Sequence, residues 1–252
     1  MPPALDAVKF HVESYVCDFT GRATLPVMSG FILDAASVHA HRRGFGLDKI
    51  LNDGITWVLS RLSLEIYQYP VSSNDITVET WIEDVGRFFT QRCFRFVRND
   101  GRTLGYARSI WAAINIDSRS PVNIPEWRPD LKDYILRDNK CPIAKMEKIP
   151  PVNSTEPVMS YSVRYSDIDI NRHMNSMKYI EHVVNVFDLQ TFKEKIIGKF
   201  EIVYLQEGRF SDRMKLYREN LPDGENIIDT KRDGESVCRS RIIWKPLNHP
   251  ER

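Results

Sequence analysis

The chain has 252 residues, 42% hydrophobic and 11% aromatic, which suffices for the core of one large domain or two ordinary ones. Lys and Arg number 35 against 34 Asp and Glu, so a formal charge of +1 gives no whole-molecule attraction for nucleic acid or a membrane surface. Cys17, Cys93, Cys141 and Cys238 stand far apart with no CxxC pair, and no leader or long apolar run is visible. The expectation is a cytoplasmic protein with reduced thiols, no metal, no cofactor and no membrane insertion.

In chain order, the first predicted helix carries apolar residues at Met28, Phe31, Ile32 and Ala35, an i, i+3, i+4, i+7 stripe that reads as a core-facing side. Strand-like stretches follow in "LSLEIYQYPVSSNDITVETW" and in "DGRTLGYARSIW", the latter opened by an Asp-Gly turn dipeptide. Residues 118 to 157 then hold seven of the 14 prolines and read as a linker, with a weak helical pattern in "WRPDLKDYILRDN".

Beyond the linker the order repeats. A helical stripe at Ile180, Val183, Val184 and Phe187 is followed by "KFEIVYLQEGRFSDRMKLYRE" and by "DGESVCRSRIIW". Without gaps, Asp100, Gly101, Arg108, Ile110 and Trp111 face the identical residues Asp233, Gly234, Arg241, Ile243 and Trp244. The predicted fold class is α+β, a sheet wrapped round one helix, made twice. The boundaries are residues 1–120 for the first domain, 121–157 for the linker and 158–252 for the second domain.

Chemistry concentrates in "SDIDINRHMNSMKYIE", residues 166–181. A capped turn explains part of it, since Asn175 or Ser176 makes a good N-cap and Asp and Asn suit turns. Capping does not call for histidine. Asp169, Asn171 and His173 alternate, so an extended segment would set them on one side, ahead of a helix whose free N–H groups suit an oxyanion. Laid over this stretch, the first half has Asp18, Thr20 and Arg22, so it keeps the acid and loses the rest. His39, His41 and His182 read as surface or flank residues on helices.

This stretch resembles the Asp-x-Asn-x-His-x-Asn-Asn-x-Lys-Tyr segment of the acyl-acyl-carrier-protein thioesterases, plastid and bacterial enzymes that end fatty-acid synthesis. "WVLSRLSLEIYQYP", "ITVETWIED", "RSIWAAINIDSRSPVNIPE" and "FEIVYLQEGRFSD" are similar to segments of the same family. The resemblance implies two tandem hotdog domains, hydrolysis of fatty acyl-carrier-protein thioesters, and a catalytic set of Asp169, Asn171, His173 and Glu207. Gly208 stands where the plant enzymes have cysteine, which excludes a cysteine nucleophile there, and Ser176 replaces the second Asn of the pair. By resemblance of position, Met28, Phe31 and Ile32 would line the acyl-chain pocket, core packing being the plainer reading, and Asn175 would contact substrate. Arg164, Arg172, Lys178, Arg209 and Arg213 would receive an acidic carrier protein. A homodimer of the whole chain stays open. So do a hotdog acyl-coenzyme A thioesterase, an enoyl-thioester hydratase, though Arg172 stands where its motif has proline, and a non-catalytic acyl-thioester sensor.

Overall fold

The computed structural model describes residues 4–247. They fall into two compact units that divide between Lys145 and Met146. In the first, β1 (Leu5–His11), α1 (Leu25–Arg42), α2 (Leu47–Ile50), β2 (Ile55–Ile66), β3 (Asp75–Val85), β4 (Phe89–Arg98), β5 (Thr103–Asn115) and α3 (Ile124–Trp127) follow in order. The strands pair antiparallel as β1-β3-β4-β5-β2. Helix α1 packs on β1 and β3. Its predicted stripe is the buried side: Met28, Ile32 and Ala35 are fully enclosed. Phe31, less covered, stacks on Phe10 of β1 with centroids 4.5 Å apart.

The second unit repeats the plan with β6 (Met159–Ser162), α4 (Ser176–Val184), α5 (Leu189–Glu194), β7 (Lys195–Tyr204), β8 (Arg213–Asn220), β9 (Asn226–Arg232) and β10 (Glu235–Pro246). Its sheet runs β7-β10-β9-β8-β6, again antiparallel, so each strand has a counterpart at the same place in the first sheet. Asp233 and Gly234 both have positive φ, 52° and 87°, the two-residue turn that lets β9 and β10 pair closely.

The second helix differs from its sequence pattern. It ends at Val184, and Phe187 leaves the stripe to meet Trp244 edge-on at 4.9 Å. The break has a local cause: Asp188 Oδ1 accepts the Thr191 N–H at 2.8 Å and so caps α5 instead of prolonging α4. The proline-rich stretch is also more ordered than a free linker. Ile124 and Leu131 are fully buried in a cluster with Phe45 and Ile82, and Cys141 and Ile143 pack on Trp81 and Cys93 of the outer sheet face. Further on, Ile149 and Val152 are buried against Ile227 in the second unit. Prolines forbid regular pairing here without forbidding burial. His39 is another correction, since it lies wholly in the core of the first unit rather than on a surface.

Candidate active site

The segment between β6 and α4 is a closed loop rather than the extended run that alternation suggested. Ile168 and Met174 form an antiparallel bridge. The Asp169 N–H donates to His173 O at 2.9 Å, and Arg172 N–H to Asp169 O at 3.0 Å. Asp169 Oδ1 collects two more backbone donors, Asn171 N–H at 2.8 Å and His173 N–H at 3.3 Å. A short acid placed at the start of a turn bonds the chain just ahead of it, which closes the loop. Arg172 completes it in the left-handed region at φ 64°.

The first unit builds the same loop. Cys17 bridges Ala23, Asp18 N–H donates to Arg22 O at 2.8 Å, and Asp18 Oδ1 accepts Thr20 N–H at 2.7 Å and Arg22 N–H at 3.4 Å. The left-handed position is Gly21 there, at φ 78°. Loop closure by the acid therefore belongs to the fold, and the second unit adds histidine and asparagine to it. Among the described residues, the Asp169 Oδ2 atom and the Asn171 side chain make no hydrogen bond, and Asn171 points to solvent.

Glu207 lies on the loop after β7. Arg232 fixes that loop, donating to Glu207 O at 2.9 Å, Asp212 Oδ2 at 2.6 Å and Gln206 Oε1 at 3.1 Å. Gly208 joins the two loops: its carbonyl accepts Met174 N–H at 2.8 Å and its N–H donates to Tyr179 Oη at 2.7 Å. The result sets Glu207 Oε2 at 3.2 Å from His173 Nε2, with the two side chains 30% and 25% exposed, so water reaches the pair. A cysteine at 208 has no room, because a Cβ there would lie 2.6 Å from Tyr179 Oη and 2.7 Å from Met214 Cε.

Of the sequence candidates, then, the structure brings Asp169, His173 and Glu207 together and leaves Asn171 at the loop tip. Asn175 serves as N-cap of α4, its Oδ1 accepting Met177 N–H at 2.8 Å. The adjacent Ser176 N–H makes no hydrogen bond among the described residues and opens the positive end of the helix. His182, read as a flank residue, stacks on Tyr161 at 3.6 Å and faces Asp167, and burial pushes its pKa down. Arg164, Arg172, Arg209 and Arg213 are exposed, while Lys178 pairs with Glu181 at 2.9 Å. Sequence reasoning missed Tyr179, Arg232 and Gly208 as supports of the site. Only Tyr179 and Gly208 carried a signal, as neighbours of the motif residues. Among the described residues, no group of three or more His, Cys, Asp or Glu side chains could hold a metal ion. No helix there is long and apolar enough to cross a membrane.

Comparison with known proteins agrees with this architecture. The sequence model of the acyl-ACP thioesterase N-terminal domain matches residues 6–128, and that of the C-terminal domain matches residues 153–246. The crystal structure of an acyl-ACP thioesterase from Bacteroides thetaiotaomicron superimposes with a TM-score of 0.90 at 38% identity, over 96% of this chain and 98% of that one. A 12:0-ACP thioesterase from Umbellularia californica has the same fold, with a TM-score of 0.86 over 98% of this chain and 99% of that one, at 20% identity. Oleoyl-acyl carrier protein thioesterase 2 of Arabidopsis thaliana is 27% identical over 216 residues, 77% of this chain. The chain spans 56% of that protein's length and 63% of the palmitoyl-acyl carrier protein thioesterase of Gossypium hirsutum. With both domains matched in order and the likeness running end to end, the chain belongs to the acyl-ACP thioesterase family.

Proposed function

We propose that this protein hydrolyses fatty acyl-acyl carrier protein to free fatty acid and carrier protein, ending fatty-acid synthesis in the cytoplasm. The observation that carries the reading is the His173–Glu207 contact at 3.2 Å beside the Asp169 loop, in the one unit whose loop has more than its closing acid. Thioester hydrolysis requires a directed nucleophile and a stabilised oxyanion, and the thiolate leaves with little help. With His173 Nε2–H donating to Glu207, the Nδ1 atom is left to accept a proton from water. Asp169 Oδ2, unengaged while Oδ1 closes the loop, either takes a proton from the water that attacks the carbonyl carbon or attacks that carbon itself. The Ser176 N–H at the start of α4 faces the developing oxyanion, and the Asn171 amide at the solvent-exposed loop tip is assigned to positioning the attacking water.

Met28, Phe31 and Ile32 are assigned to the acyl chain, which suits an apolar stripe under α1. The exposed Arg164, Arg172, Arg209 and Arg213 are assigned to an acidic carrier. The test is free-thiol release from an acyl-carrier-protein panel of rising chain length, run beside acyl-coenzyme A and the Asp169→Asn protein. Turnover on the carrier panel that collapses in the variant supports the reading. Binding without release from any thioester would favour a sensor and overturn it.

A further inference from the structure

Outside the site, Cys93 and Cys141 are 48 positions apart in sequence yet belong to one buried cluster with Trp81 and Ile143 on the outer face of the first sheet. Cys93 lies on β4 directly opposite Arg108 of β5. The Arg108 guanidinium reaches across to the covering segment, donating to Cys141 O at 3.0 Å and Ile143 O at 2.9 Å while it pairs with Glu83. Cys141 is thereby held in one cluster with Cys93, its own thiol directed at Ala107 O at 3.9 Å, and the two thiols influence each other's ionisation. Cys141 also lines a cavity of about 490 Å³, with Arg108, Glu83, Arg137, Lys140 and Lys145 among its walls, so the pair sits beside an opening to small solutes.

We propose that Cys141 and Cys93 form an oxidation site for peroxide, Cys141 as the attacking thiol and Cys93 as the resolving one. In the first step the Cys141 thiolate attacks one oxygen of hydrogen peroxide; the S–O bond forms as O–O breaks, and hydroxide leaves. Cys93 then gives up its proton and attacks the sulfenyl sulfur, forming S–S and releasing water. Two electrons pass from the two thiols to the peroxide. The environment divides these roles. The neighbouring Cys93 thiol and the nearby Arg108 cation hold the Cys141 thiol below its usual range despite burial, whereas Cys93 is pushed up by the Cys141 sulfur and by burial. Cys17 and Cys238 belong to neither this cluster nor the cavity lining, and all four cysteines are free in the structure.

The bridge would fasten the covering segment to β4 and close a long loop in the unfolded chain. Such a closure raises Tm by on the order of 10 °C. The experiment treats the full-length protein with hydrogen peroxide, maps its peptides without reduction and counts thiols after denaturation. The expected result is a Cys93–Cys141 bridged peptide, a fall from four thiols to two, and a Tm rise reversed by dithiothreitol. Cys93→Ser is expected to trap a sulfenic acid at 141, seen by dimedone labelling. No bridged peptide in the wild-type chain, or a bridge through Cys17 or Cys238, would overturn the proposal. The wild-type map decides even where a variant fails to fold.

Discussion

Replacing Gly208 by alanine tests whether the site depends on the join between its two loops. The new Cβ would sit 2.6 Å from Tyr179 Oη, 2.7 Å from Met214 Cε and 3.2 Å from Met174 Cβ, against ordinary contacts of roughly 3.5–4.0 Å. The methionine end can swing aside. Tyr179 Oη cannot retreat freely, because it accepts the Gly208 N–H at 2.7 Å and that donor is buried. Relief therefore requires overpacking, at about 1–3 kcal/mol, or an unsatisfied N–H, at about 1–3 kcal/mol. We expect a loss at the upper end of that range, about 3 kcal/mol, which corresponds to roughly 6–12 °C in Tm for a chain of this size. Glu207 is the preceding residue, so a loop shift of about 1 Å moves it off His173 and lowers kcat/KM by roughly 100-fold. The assay pairs calorimetry with thiol release. Tyr179→Phe in the same background removes the atom that the Cβ meets, so the double variant should be more stable than the sum of the singles by about 1 kcal/mol or more. Gly208→Cys should behave like the alanine variant. An alanine protein within about 2 °C of wild type, with kcat/KM intact, would refute the argument, since ordinary surface substitutions stay within about 0.5 kcal/mol.

Asp169→Asn keeps an acceptor for the Asn171 and His173 N–H groups, so activity should fall by a factor on the order of 100 or more while Tm moves little; equal losses of both would make the acid purely structural. The matching Asp18→Ala change should lower stability by about 1 kcal/mol and leave thiol release per folded molecule unaltered. Asn175→Ala removes the α4 cap, with an expected stability loss of about 1 kcal/mol; a raised KM at unchanged Tm would instead mark a substrate contact. Burial, with Arg92 and Arg43 nearby, pushes His39 down to about 2. Below pH 6.5 the unfolded chain therefore binds a proton that the folded chain refuses. Stability from this group is complete above that value and falls by on the order of 1 kcal/mol per pH unit as acid is added. His39→Gln should flatten the Tm profile between about pH 7 and 5, and an unchanged profile would remove His39 as its source.

Much of the fold was legible because both halves state it. The Asp-Gly turns, the strand pairs and the α1 stripe rest on local periodicity, which survives folding unaltered. The proposed site could be listed from the sequence as candidate residues but not built as a geometry. Alternation suggested an extended run, whereas Asp169 bends the chain by taking backbone donors two and four residues ahead. Arg232 could not have been found at all, since its hold on Glu207 O crosses 25 residues and depends on sheet register. The proline-rich stretch misled for a related reason: its apolar residues have no period, and only the surfaces of sheet and cluster reveal why Ile124, Leu131 and Ile143 are there. His39 likewise looked superficial because helix position alone does not show how far β1 wraps over α1.

The duplicated acid loop has a bearing on how such a chain arises. The scaffold exists twice and the proposed reactive groups once, as expected of a doubled ancestor whose copies diverged at this loop. In the first copy Thr20 Oγ1 bonds Asp18, Arg22 bonds Thr20, and Tyr69, the counterpart of Glu207 by the matching bonds of Gln68 and Gln206, is buried. Those positions now serve packing and loop closure. Giving the first copy the proposed set takes three substitutions, at Thr20, Arg22 and Tyr69, but each removes a contact that the folded copy uses, so the difference between the copies is self-locking.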